Sequence, residues 1–213
     1  MTLEFIGRNL YLQPTPAGAY AAVAGPEANP ERTLLQALMR GEASVRPSVT
    51  DIAWWCSQSE QDALATVYRA QEKGWIEGFT SPQSPPSGQL EPIATRAVEA
   101  LSTTGQGLLA DSQGFCMAST GFDATAAEFL AAVSADIASM HERHSAYLAD
   151  ASGSSTSAWA LVDMAGNSKV GFWPLFVGEN RFVIALGGLP ALQHPAMVEL
   201  VWSLVNRYGR TED

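Results

Sequence analysis

Two cysteines in 213 residues are too few for a disulfide framework, and no CxxC pair or Cys/His cluster offers the spacing of structural zinc. Charge is scarce as well. Charged residues are 16% of the chain, and 22 acidic against 12 basic residues leave a net −10. A surface of that sign repels phosphate backbones and anionic lipid, so nucleic acid and membrane surfaces are disfavoured partners. Apolar runs are broken by Gly and Pro well short of the roughly 18 residues that a spanning helix needs. The opening MTLEFIGRNLYLQ lacks a basic leader followed by an apolar stretch and does not read as a secretory signal. A cytoplasmic protein with reduced thiols is the expectation.

Signatures of chemistry are missing too. There is no GxxxxGK[ST], Gly105 and Gly107 do not form GxGxxG after a strand, and Gly187-Gly188 reads as a strand exit. His141 and His144, in MHERH, stand three apart on a helical pattern but show no third ligand. They read as a polar, pH-sensitive helix edge. Cys116 has no histidine near it in sequence and sits inside an apolar strand pattern, so it reads as a structural thiol rather than a nucleophile. No catalytic residue, cofactor site or metal site is expected.

What the chain has is apolar material, 46% of its residues, enough for a substantial core. It falls into two halves with different rhythms. Residues 1–29, with LYLQ and AYAAVAG separated by PTPAG, read as an N-terminal β-hairpin. Residues 30–80 turn helical. PERTLLQALMRG puts Pro30 in a first turn, Leu34, Leu35, Leu38 and Met39 on one face and Gly41 at the stop. Ser48-Val-Thr-Asp51 and Ser59-Glu-Gln-Asp62 each have the Ser-x-x-acid form of a helix cap. The second helix closes at Gly74 and the strand GWIEGFT follows. Helix, short helix, turn, helix, strand is the order of a winged helix-turn-helix. Residues 81–89, containing SPQSPPSG, read as a wing tip or linker, with the return strand supplied from the N-terminus. In the would-be recognition helix, Glu60, Asp62 and Glu72 outweigh Arg69 and Lys73, which favours protein contact over DNA. Trp54 and Trp55 are adjacent on a helix, so at most one faces the core; the pair is the candidate partner-binding feature.

Residues 90–213 begin with a helix on which Leu90, Ile93, Ala94, Ala97, Val98 and Leu101 share a face. Two hairpins follow, GLLAD/GFCMAST and SAWALVDMAGNSKVGFWPLF, and the same Asp-x-x-Gly turn joins each, at Asp111 and at Asp163. Between them runs a long helix capped near Asp123, along which Phe122, Ala126, Phe129, Val133, Ile137, Met140, His144 and Tyr147 step by three or four. RFVIALGG and a last helix from Pro195 complete an α+β unit with an antiparallel sheet.

This order, with GLLADSQGFCMASTGFD, RFVIALGGLPAL and LVNRYG, resembles the Roadblock family of dynein light-chain-related domains over residues 90–213. The resemblance implies a five-stranded antiparallel sheet flanked by helices, and a homodimer in which the long helix packs on its copy while an edge strand extends the sheet. Candidate dimer residues are Phe129, Val133, Ile137, Met140, His144, Trp159 and Leu161, with SAWALVDM the favoured edge and GFCMAST the other. It also implies a non-enzymatic adaptor or regulator that partners a small Ras-like GTPase and has no nucleotide site of its own. The alternative is a DNA-binding transcription regulator dimerised by the Roadblock-like part.

Overall fold

The computed structural model describes residues 9–152 and 156–209. The first strand, β1 (Tyr11–Pro14), leads directly into helix α1 (Pro16–Ala21). The expected N-terminal hairpin is therefore not formed; residues 1–8 of that segment lie outside the described residues. The reason is local. Thr15 accepts from the Gly18 amide as an N-cap, and Pro16 occupies the first helical turn, where its missing N–H costs nothing. What looked like a turn between two strands is the start of an alanine-rich helix. The partner of β1 is instead β2 (Ile76–Phe79), paired antiparallel from Tyr11 opposite Phe79 to Pro14 opposite Ile76.

Three helices lie between these strands: α2 (Pro30–Leu38), α3 (Val49–Cys56) and α4 (Glu60–Glu72). Asn29, Ser48 and Ser59 cap them, and Ser48 with Asp51 forms a complete capping box. Their inner faces, with Leu34, Leu38, Ile52, Ala63 and Val67, close on Leu12 of β1. In α4 the buried side is Ala63, Thr66, Val67 and Ala70, while Tyr68 turns outward. Leu12 also bridges Val45, which precedes α3, so β1 lies between Val45 and β2. Residues 81–89 contain no helix or strand, as the prolines require, and Gln83 is held to Ser44 by two hydrogen bonds.

The second half follows the expected order: α5 (Leu90–Ala100), β3 (Gly107–Ala110), β4 (Cys116–Thr120), α6 (Ala124–Ser152), β5 (Trp159–Val162), β6 (Ser168–Val177), β7 (Asn180–Gly187) and α7 (Ala196–Tyr208). The five strands form one antiparallel sheet in the order β4-β3-β7-β6-β5. Strand alternation sends Leu109, Leu175, Ile184 and Leu186 to the core shared with α5 and α7, and Leu108, Phe172, Val183 and Ala185 to the core under α6. Because α6 connects the two edge strands, it must cross the sheet. Four strand spacings are about 19 Å, whereas a 29-residue helix is about 43 Å long. The helix has turns to spare beyond what covering the sheet requires.

The boundary near 81–89 marks a change of architecture without a break in packing. Ala19, Ala22, Val23, Leu35 and Met39 belong to the same buried cluster as α5, α7 and the sheet. Helix α7 is consequently buried on nearly all sides from Ala196 to Val205. Trp202, 2% exposed, donates its indole N–H to the Gly41 carbonyl at 3.2 Å. Arg32 of α2 donates to the carbonyls of Ala22, Glu27 and Phe176, stitching α2 to the end of β6.

Candidate functional site

The turns that join the two hairpins are built alike. In each, one Asp oxygen accepts from two amides: those of Gln113 and Phe115 for Asp111, and of Ala165 and Asn167 for Asp163, all at 2.9 Å. Gly114 and Gly166 take φ near +86° and +85°, a conformation open to glycine, and each hairpin has a register shift beside its turn. The Asn167 amide, above all, holds the Asp163 carboxyl down at about 2, with Lys169 at 3.2 Å assisting. These carboxylates serve turns. Cys116 is half-buried in β4 and burial pushes its thiol upward; Cys56 is raised in the same way, with Glu31 adding to it. Neither is an activated thiolate. Among the described residues no group of three or more His, Cys, Asp or Glu is placed to hold a metal.

The long helix has a buried inner face and an outer stripe with exposed aromatics. Asp123 caps it by accepting from the Ala126 amide at 2.8 Å. The inner face, Ala127, Leu130, Ala131, Ser134 and Ala138, is buried against the sheet. The outer stripe carries Phe129 at 67% and Tyr147 at 78% exposure. The candidate dimer residues divide between these environments. Phe129 and His144 are exposed, Met140 is half-buried, and Val133 and Ile137 sit on the flank where they also pack on the inner cluster.

Both expected edge strands are edges: β4 ends the sheet on one side and β5 on the other. They differ in what they show to solvent. Leu161 and Val162 of β5 are 50% and 60% exposed and Met164 in the following turn is fully exposed; within β4 no large apolar side chain is exposed to that degree, although Phe115, directly before it in GFCMAST, is 66% exposed. Trp159 is half-buried and donates its indole N–H to His141 Nδ1 at 3.2 Å, with the rings edge to face. That bond joins β5 to α6. Val162 and Met164 lie within the expected edge SAWALVDM, although only Trp159 and Leu161 of it are singled out from the sequence.

Trp54 and Trp55 separate as their adjacency demands. Trp54 is 79% exposed on α3, and Trp55 packs on the core of α2–α4. Four cations of the same half of the chain are engaged within it. Arg46 lies 4.1 Å over the Tyr11 ring, Lys73 lies 4.3 Å over Trp75, Arg69 pairs with Glu31, and Arg40 reaches the Gly209 carbonyl. Among the described residues no helix is long and apolar enough to cross a membrane.

No family model and no curated protein matches the chain. Among solved structures, it is similar to a Roadblock/LC7 domain from Streptomyces avermitilis, at 17% identity over 55% of this chain and 95% of that one, with a TM-score of 0.40. It is also similar to Myxococcus xanthus MglB, at 18% identity over 55% of this chain and 80% of that one, with a TM-score of 0.32.

Proposed function

We propose that the chain is a non-enzymatic adaptor or regulator that works as a homodimer, through the outer face of α6 and the β5 edge, and engages a small Ras-like GTPase or a related signalling protein. The observation that carries this reading is the outer stripe of α6, with the aromatics Phe129 and Tyr147 exposed, together with an edge strand that exposes Leu161 and Val162. An unpaired apolar edge is a template for strand addition, and a twofold axis is the commonest way to satisfy one. The His141–Trp159 bond holds the two parts of that surface together. The GTPase comes from the family resemblance of residues 90–213 and is a fold-level analogy. In this reading the chain supplies contact surface and the GTPase supplies the nucleotide.

The test is a binding titration of the purified chain against small Ras-like GTPases of its own organism, each loaded with GDP or a non-hydrolysable GTP analogue. Saturable binding that depends on the nucleotide supports the proposal. No binding to any of them, in either state, removes the GTPase.

A DNA-reading role is the second possibility, and one observation favours it. Strand β1, between Val45 and β2, stands where the return strand of a winged helix would lie. Against it, residues 30–80 hold five cations and seven carboxylates, and every one of the five cations is bonded or stacked within the chain. Nanomolar, sequence-selective binding to a DNA duplex at low salt would reverse this ranking.

A further inference from the structure

The spare turns of α6 do not close on the sheet. Beyond the buried Ala138, their sheet-facing side carries small residues, Ser145, Ala146 and Ala149, and leaves a cleft of about 360 Å³ open to solvent. Its floor is Pro174 and Phe176 of β6 and Arg181 of β7; its far wall is the segment from Ala24 to Glu27 that follows α1. This side of the helix is opposite the Phe129 stripe, so the cleft opens away from that stripe and meets the proposed dimer surface only through His141, which bonds Trp159.

Three features distinguish the cleft from a packing defect. Its far wall is fixed in advance. Arg32 holds the Ala22 and Glu27 carbonyls, Phe176 donates its amide to Val23, and Ser157 Oγ reaches the Ala24 carbonyl. Its lining includes His141, whose Nδ1 accepts from Trp159 and which is thereby held in a fixed orientation at the cleft. Its charge is unevenly satisfied. Arg181 has a side chain only 15% exposed, yet its ion partner at 3.1 Å, Glu142, is 78% exposed, and its Nε is buried with no partner among the described residues. The remaining bond, Nη2 to the Ser112 carbonyl, is a long 3.5 Å. A guanidinium is a planar fork that matches a carboxylate with two parallel bonds, and among the described residues this one makes a single bond to a side chain, the exposed Glu142.

We infer that this cleft binds a small monocarboxylic acid, whose carboxylate takes the place of Glu142 on Arg181 while its apolar body lies over Phe176 and Pro174. The volume is at the lower end of small-molecule pockets, which fits a short-chain or monocyclic acid. Glu27 and Glu142 on the rim disfavour a second negative charge on the ligand.

The probes are octanoate and phenylacetate, with octanamide and phenylacetamide as uncharged counterparts, titrated into the full chain and followed by backbone amide NMR. The expected result is saturable binding of at least one acid, with shifts confined to Ala24–Glu27, Ser145–Ala149 and Phe176, and binding at least about tenfold weaker for its amide, the loss of one charge-assisted pair. Glu142→Gln removes the competing carboxylate and is expected to tighten acid binding by about threefold, while Arg181→Gln weakens it by at least about tenfold. The Glu142 variant and the amides keep the test decisive if the Arg181 variant fails to fold. Binding of neither acid, equal binding of acid and amide, or weaker binding in Glu142→Gln overturns the inference. None of these outcomes depends on the mass of the particle or on a GTPase.

Discussion

Asp163 shows how much one side chain does in this fold. A single carboxylate oxygen gathers the Ala165 and Asn167 amides, and the group is stabilised in its charged form from its ordinary 3.8 to about 2. A depressed carboxyl stabilises the folded state above its unfolded value, and that contribution is lost as the pH falls through the folded one. Asp163→Ala is therefore expected to melt below the wild type at neutral pH, with the difference closing as pH drops from 3.8 towards 2. Thermal melts across that range check it, and a difference that stays constant with pH would contradict the electrostatic origin. Trp202 is the opposite case, a side chain whose value is burial: Trp202→Ala is expected to cost about 3–5 kcal/mol in chemical denaturation. Much at this scale was legible in the sequence because its partners are close. Ser48, Ser59, Asp111, Asp123 and Asp163 bond to groups within about four residues along the chain, the range over which cap and turn chemistry acts. Arg32 was not legible, because one of its three carbonyls, Phe176, lies at the other end of the chain.

Elements repeat that division between local and distant causes. Helix α6 and both hairpins carry their own periodicity, so their order was readable. Helix α1 reads as a strand in the sequence because its six residues are too few to show a period, and only Thr15-Pro16 marks its start. Its docking depends on Gly18, where an added Cβ would stand 2.0 Å from the Trp75 carbonyl oxygen. Gly18→Ala is expected to destabilise the protein by about 1–3 kcal/mol through forced backbone displacement, although alanine is the better helix former. A variant as stable as the wild type would mean that α1 moves freely against β2. The two faces of α6 separate in the same manner. Phe129→Glu is expected to leave monomer stability within about 0.5 kcal/mol, whereas Ala131→Glu, on the fully buried side, prevents stable folding. The periodicity of the helix showed both stripes but not which of them the sheet takes. Val133 and Ile137 lie on the shared flank and cannot report on one face alone.

At the scale of the molecule, the shared cluster of Ala19, Val23, Leu35, Met39 and α7 makes one cooperative unit out of two architectures. Unfolding is expected to be a single transition, coincident by Trp fluorescence and far-UV circular dichroism, and two separated transitions would show that the halves fold independently. The cleft under α6 was not readable from sequence because it lies where four segments meet, at residues 24–27, 138–149, 156–157 and 174–181. The surface proposed for assembly was readable as a pattern, but only the folded chain shows that its apolar residues are uncovered. Its most direct test is the particle mass by light scattering at tens of micromolar, for the wild type and for the double variant Phe129→Glu/Leu161→Asp. A dimer through α6 and β5 predicts twice the chain mass of 22.7 kDa for the wild type and 22.7 kDa for a folded double variant. A wild type at 22.7 kDa, or a double variant that keeps the doubled mass, would contradict it.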